Sequence, residues 1–213
     1  MKIVIPDKSF LKKTGDVDYY NWNYQFPISL IQNYRFKKIV NLLGPKRYPA
    51  LLEVGTGSGV FLPELSKHCD TLYACDIHDD YEHIASLCDR YNIKDYKINK
   101  QNIEKTNYPD NAFDVIIAVS VLEFVKNLQG AIDEIKRIMK PDGVFITICP
   151  MESSLLDSVL SFYTRKKPSE EFGNSRLMVK RKLEENFKVI DMGYMLPFIG
   201  KWFPVYTHYR LSK

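Results

Sequence analysis

The run Leu51-Leu52-Glu53-Val54-Gly55-Thr56-Gly57-Ser58-Gly59 constrains this chain more than any other stretch. Its apolar first half reads as a buried strand. The alternating glycines then require a turn in which side chains would block positive backbone angles or close neighbours. A helix predicted over residues 61–67 follows at once, and a helix start offers unpaired N–H groups. Strand, bare turn and helix in that order make a place for a ligand against the main chain rather than a plain connection. The spacing narrows the choice of ligand. A dinucleotide fingerprint needs glycine at its sixth position to admit a pyrophosphate, and Val60 stands there. A phosphate loop would end in Gly-Lys-Ser or Gly-Lys-Thr, and no such run follows.

From Ala50 onward, short apolar runs alternate with longer amphipathic stretches, the pattern of repeated strand-helix units and a mainly parallel sheet. Strands are predicted over residues 50–54, 71–76, 96–102, 113–120 and 143–149. Runs such as Val115-Ile116-Ile117-Ala118-Val119 are apolar throughout, as in strands covered on both faces. Residues 81–91 and 128–139 read as helices. In the second, Leu128, Ile132, Ile135 and Met139 form one stripe, with Asp133, Glu134, Lys136 and Arg137 facing elsewhere. Lys140-Pro141-Asp142-Gly143 is expected to stop that helix in a turn. Ahead of the first strand, residues 28–43 have helical period, with Leu30, Ile31, Tyr34, Ile39 and Leu42 among the apolar positions and Gly44-Pro45 closing it. Tyr19, Tyr20, Trp22, Tyr24 and Phe26 crowd into a loop-like stretch before Pro27. Beyond Pro150 a helix at residues 153–163, a charged connector at 165–173 and a helix at 175–186 lead to a strand pair, residues 187–194 and 204–211, at one sheet edge.

A chain of 213 residues has room for one substantial core, so a single domain is expected over residues 1–213. Within it, residues 1–49 form a helical and lid segment, 50–150 a ligand-binding core, and 151–213 further helices and edge strands. No run approaches the roughly 20 apolar residues of a membrane span, and the N-terminus is read as lacking a signal-peptide core. Cys69, Cys75, Cys88 and Cys149 form no CxxC pair and are read as reduced packing residues of a cytoplasmic protein. The net charge of +4 comes from interspersed charges, which does not favour a nucleic-acid partner. Lys94-Asp95-Tyr96-Lys97 and Arg165-Lys166-Lys167 are read as solvated loops. His78 and His83 are too sparse for a metal site, His208 is read as structural, and no metal is expected.

The glycine run closely resembles the first signature of class I S-adenosylmethionine-dependent methyltransferases. That cofactor has no pyrophosphate but carries an ammonium, for which Glu53 would supply a charge. The resemblance implies that Gly55, Thr56, Gly57, Ser58 and Gly59 pass beside the methionyl part and ribose. Asp76 ends the second strand about 20 residues later, where a carboxylate accepts from a ribose diol; a helix cap is the plainer reading. Ile77 would pack on the adenine face. The stretch Gln101-Asn102-Ile103, ending in Phe113-Asp114, resembles the family's adenine-binding loop, with Asn102 where the family usually has Asp. Its amide oxygen can still accept from the adenine amino group, and the Ile103 N–H would meet a ring nitrogen. Ala118, Val119 and Ser120 end a strand similar to the family's fourth, and Pro141-Asp142-Gly143 resembles its Pro-Gly-Gly turn. The resemblance implies an α/β, Rossmann-like, doubly wound fold: a mainly parallel seven-stranded sheet with helices on both faces and an antiparallel edge.

The implied reaction is methyl transfer by in-line displacement, with S-adenosylhomocysteine as product. A general base is needed only when the acceptor carries a proton. Glu123, just past the fourth strand, is the candidate base, and a solvated carboxylate at a helix start is the alternative. The aromatic stretch is a candidate lid, with Tyr20 the expected cofactor contact. Met151, Phe162, Tyr163 and Arg165, Lys166 and Lys167 are expected to wall the acceptor side, where phosphate or carboxylate would suit the cations. A small-molecule acceptor leads. The alternatives are an RNA or protein acceptor, or a cofactor-binding subunit without turnover.

Overall fold

The computed structural model describes residues 3–15, 18–79, 81–151, 175–195 and 205–213. The expected helix at 153–163, the charged connector and Phe162, Tyr163, Arg165, Lys166 and Lys167 lie outside them.

Seven strands form one sheet: β1 (Tyr48–Val54), β2 (Cys69–Asp76), β3 (Tyr96–Lys100), β4 (Phe113–Val119), β5 (Met139–Pro150), β6 (Lys188–Tyr194) and β7 (Tyr206–Ser212). Their order is β3-β2-β1-β4-β5-β7-β6. β1 to β5 are parallel, and β7 runs against both β5 and β6 at the far edge. The helices are α1 (Ile28–Leu43), α2 (Leu62–Leu65), α3 (Tyr81–Arg90), α4 (Leu128–Ile138) and α5 (Ser175–Asn186). Alternate strand residues divide between two faces. Leu51, Val115, Ile117 and Ile146 pack with Ile39, Leu43, Leu65 and Ile84 of α1 to α3. Leu52, Ile116 and Phe145 pack with Ile132, Ile135 and Leu183 of α4 and α5. Each such buried side chain contributes about 1.5–3 kcal/mol, which explains apolar runs such as Val115 to Val119 in the central strands.

Four local expectations need correction. The buried face of α1 runs through Ile28, Gln32, Arg35, Phe36 and Ile39, while Leu30 is 60% exposed. Residues 140–143 are not a turn that stops a helix: α4 ends at Ile138 and β5 starts at Met139. Phe113 pairs with Met139 but Val115 with Val144, so the proline and Asp142-Gly143 form a bulge inside the strand pair. Glu134 does not face solvent; it is buried and accepts from the Thr106 amide at 2.7 Å. Its hydrogen bond with Arg137 is the main reason that its carboxyl is held down to about 2. Finally, the aromatic stretch is a 3-10 helix, Tyr20–Tyr24, rather than a loop.

The register aligns the carboxyl ends of the strands. Val54 lies beside Cys75 and Ala118, Val119 beside Ile148, and Pro150 beside Tyr206. Strand order reverses between β1 and β4, so the loops leaving them diverge and open a crevice.

Candidate active site

A cavity of about 500 Å³ occupies that crevice, within the usual range for small-molecule sites. Tyr20, Glu53, Gly55, Thr56, Gly57, Ser58, Asp76, Ile77, Asn102, Ile103, Val119, Ser120 and Glu123 all line it. Gly59 and Ala118 do not. Gly59 packs toward α2 and α3, where an added Cβ would stand 3.0 Å from Leu87 and 3.2 Å from Leu62. Ala118 is wholly buried in the sheet, and its carbonyl accepts from the Thr147 hydroxyl at 2.8 Å.

The turn is held from β2. The Gly55 amide donates to the Cys75 carbonyl at 2.8 Å, and the Gly57 amide to Asp76 Oδ2 at 2.8 Å. Gly55 and Gly57 have φ of 72° and 53°, angles that favour glycine. Asp76 Oδ1 accepts from the amides of Ile77 at 2.7 Å and His78 at 3.3 Å. These donors precede α3, so Asp76 fastens the loop and the glycine turn rather than capping that helix. Ile77 is 60% exposed at the cavity mouth. Asn102 is exposed, and its side-chain oxygen already accepts from the Glu104 amide at 3.0 Å.

Two buried carboxyls face the same cavity. Glu53 and Glu123 are each 5% exposed, and one oxygen of each, Oε2, has no hydrogen-bond partner. Burial, with the Asp76 charge second, raises Glu53 to about 8. Burial raises Glu123 to about 7 against the opposing pull of its own amide, Arg35, Arg176 and Ser120. The solvated reading of Glu123 is therefore corrected: the short 3-10 helix Leu122–Phe124 turns it inward. Because folding raises both carboxyls above 4.5, their contribution favours the fold at low pH and is lost as pH climbs toward 8. The melting temperature of ligand-free protein should fall between pH 5 and pH 8, and Glu53→Gln should flatten that fall and melt above wild type at pH 8. A variant with an unchanged pH profile would mean that Glu53 ionises freely.

Several wall residues carry little or no signal in the sequence. Asp18 Oδ2 accepts from the Thr14 amide and hydroxyl, both at 3.1 Å, and burial raises its carboxyl above the ordinary range. It stands 3.5 Å from where a Cβ on Gly57 would lie. Gln32 and Arg35 come from α1, where polar residues at helical spacing interrupt the apolar face; that interruption was the available sign. Arg35 donates to Gln32 Oε1 at 2.6 Å and to Ser120 Oγ at 2.9 Å, and its guanidinium lies 5.0 Å from the Tyr206 ring. Tyr19 and Trp22 stack at 4.3 Å and line the cavity with Tyr20. Tyr24 does not, since its hydroxyl donates to the Pro6 carbonyl at 2.5 Å. Met151 is not a wall residue either; its amide donates to the Val205 carbonyl at 3.0 Å. His208 is buried beside Asp191, away from the cavity. Among the described residues no group of His, Cys, Asp and Glu is placed to hold a metal ion, and no helix is long and apolar enough to cross a membrane.

A family model described as "Methyltransferase domain" matches residues 52–147. The chain is 30% identical over 208 residues to an uncharacterized protein of Methanocaldococcus jannaschii, an alignment covering 92% of this chain and 82% of that one. Its fold is similar to that of a SAM-dependent methyltransferase from Aquifex aeolicus, with a TM-score of 0.64 and 22% identity over 89% of this chain and 100% of that one. It is also similar to the N-methyltransferase NodS of Bradyrhizobium japonicum WM9 in complex with S-adenosyl-L-homocysteine, with a TM-score of 0.62 and 15% identity over 95% of each chain. The fold is Rossmann-like, with the cavity at the switch point of its sheet. The chain belongs to the class I S-adenosylmethionine-dependent methyltransferases.

Proposed function

We propose that this methyltransferase acts on a small-molecule acceptor bound beside Glu123, where β4 and β5 end, with the cofactor lying over the ends of β1, β2 and β3. The carrying observation is the buried, unpartnered oxygen of Glu53 beside the bare turn. An ammonium is the group that such a carboxylate lacks. In this reading the main chain from Gly55 to Ser58 faces the methionyl part and ribose, Asp76 takes the sugar hydroxyls on its remaining lone pairs, and Ile77 covers the adenine. Asn102 and the Ile103 amide meet the adenine edge, with Val119 and Ser120 on the opposite wall and Tyr20 above.

When bound, S-adenosylmethionine supplies a methyl group on a sulfonium leaving group, so alignment and dryness account for much of the acceleration. Tyr19, Tyr20 and Trp22 exclude water from one side. Glu123, held near neutrality, accepts a proton at Oε2 from a hydroxyl or amine acceptor. We read residues 1–213 as one catalytic unit, with 1–49 as cover, 50–150 as cofactor core and 151–213 toward the acceptor. The buried free cysteines support placing it in the reducing cytoplasm.

Calorimetry with S-adenosylhomocysteine and with NAD tests the cofactor assignment; NAD binding alone would overturn it. Asn102→Asp should bind S-adenosylhomocysteine about fivefold more tightly, because a charged acceptor adds about 1 kcal/mol over a neutral one. An unchanged affinity would take Asn102 away from the adenine.

A further inference from the structure

We infer that Asp18 is a specificity residue of the cofactor site, facing the sulfonium so that the protein favours S-adenosylmethionine over its neutral product. This rests on the cofactor reading of the cavity proposed above. Asp18 belongs to the segment before α1 yet lines the cavity. Its carboxyl stands over Gly57, with Cγ, Oδ1 and Oδ2 at 3.5, 3.6 and 3.7 Å from where a Cβ would lie. The Gly57 amide is committed to Asp76 Oδ2 at 2.8 Å. Two carboxyls therefore flank one glycine, and the Asp76 charge adds to burial in raising Asp18. Glu53 feels the same neighbour. Its Oε2 is buried in the cavity wall without a partner, which points independently to a cationic ligand. Among the described residues no lysine or arginine lies within ion-pair distance of Asp18, Glu53 or Asp76; the one base that does is His78, with Nε2 3.9 Å from Asp76 Oδ1. Three acids around one turn without a fixed cation are costly, and a positive ligand removes that cost.

Position assigns Asp18 to the sulfonium rather than to the ammonium. In the proposed reading Glu53 takes the ammonium and Asp76 the ribose hydroxyls, so the sulfur that joins the methionyl chain to the ribose falls between them. Gly57 is the middle glycine of the turn, and Asp18 is the side chain that stands over it. Chemistry agrees with position. A sulfonium has no N–H or O–H to donate, so it is recognised by charge alone. Asp18 offers a charge that is fixed but not neutralised, since its Oδ2 accepts from the Thr14 amide and hydroxyl, both at 3.1 Å and both uncharged. Transfer of the methyl group returns the C–S electron pair to sulfur and leaves a neutral thioether. The attraction to Asp18 ends with the reaction, and the product is held less tightly than the substrate.

The test is calorimetry of wild type and Asp18→Asn with S-adenosylmethionine, S-adenosylhomocysteine and sinefungin, an analogue in which a carbon bearing an ammonium replaces the methylated sulfur. Wild type should bind the two ligands charged at that place about tenfold more tightly than S-adenosylhomocysteine, the scale of one interaction with a charged group. Asp18→Asn keeps the shape and an acceptor for Thr14. It should weaken S-adenosylmethionine and sinefungin by about tenfold while S-adenosylhomocysteine stays within about twofold of wild type. A loss shared equally by all three ligands would reduce Asp18 to a prop for the lid and overturn the inference, and so would no loss at all. Wild-type protein that binds S-adenosylhomocysteine as tightly as sinefungin would overturn it too; that comparison uses unaltered protein, so it decides even if the variant fails to fold. Wild type that binds none of the three would instead sink the cofactor reading, and the inference with it.

Discussion

Gly57→Val should leave a folded protein that no longer binds S-adenosylhomocysteine measurably. The first added carbon is tolerable, since it would meet Asp18 at an ordinary 3.5 Å. The two methyl groups beyond it are not, because they enlarge the face of the turn that lines the cavity. A β-branched residue also resists the local φ of 53°, a strain of about 1–3 kcal/mol. Relieving it would pull the amide away from Asp76 Oδ2 and loosen the carboxylate meant for the sugar. The expected loss exceeds roughly 100-fold, or about 3 kcal/mol, measured by calorimetry with circular dichroism as the check on folding. Wild-type affinity in a folded variant would remove the turn from the binding site.

Gly55→Ala, two residues away, should do the reverse and damage the fold first. Here the new Cβ would lie 2.3 Å from one methyl of Val121, 2.9 Å from the other and 3.2 Å from Val121 Cβ. Val121 is stiff at its branch point, so the backbone must give. Overpacking and a φ of 72° together should cost about 2–5 kcal/mol, read as a shift in the urea midpoint. Adding Val121→Ala should recover the overpacking share and leave the backbone strain. A single variant as stable as wild type would mean that the turn repacks without resistance.

Much of the scaffold was legible because its causes are local. Central strands covered on both faces carry long apolar runs such as Val115 to Val119, and Gly55, Gly57 and Gly59 mark a turn whatever surrounds it. The bulge at residues 140–143 is hidden in the sequence because proline and Asp-Gly look the same at a helix end and within an irregular strand. Glu123 gave no periodic sign of burial because a 3-10 helix of three residues is too short to have one. The walls of the site were least readable. Arg35 meets Ser120 across 85 residues, and nothing near Asp18 in the chain foretells its approach to Gly57. Leu30 misled for the complementary reason: hydropathy placed it inward, while the cavity claimed the neighbouring face of α1 for Gln32 and Arg35.

Asp18 and Tyr206, near opposite ends of the chain, border one cavity. A molecule held there acts as a clasp, tying the segment before α1 to β7, the last strand in chain order. At a ligand concentration 100 times its dissociation constant, mass action strengthens the folded state by about 2.7 kcal/mol, and both ends share in that gain because neither can peel away without opening the clasp.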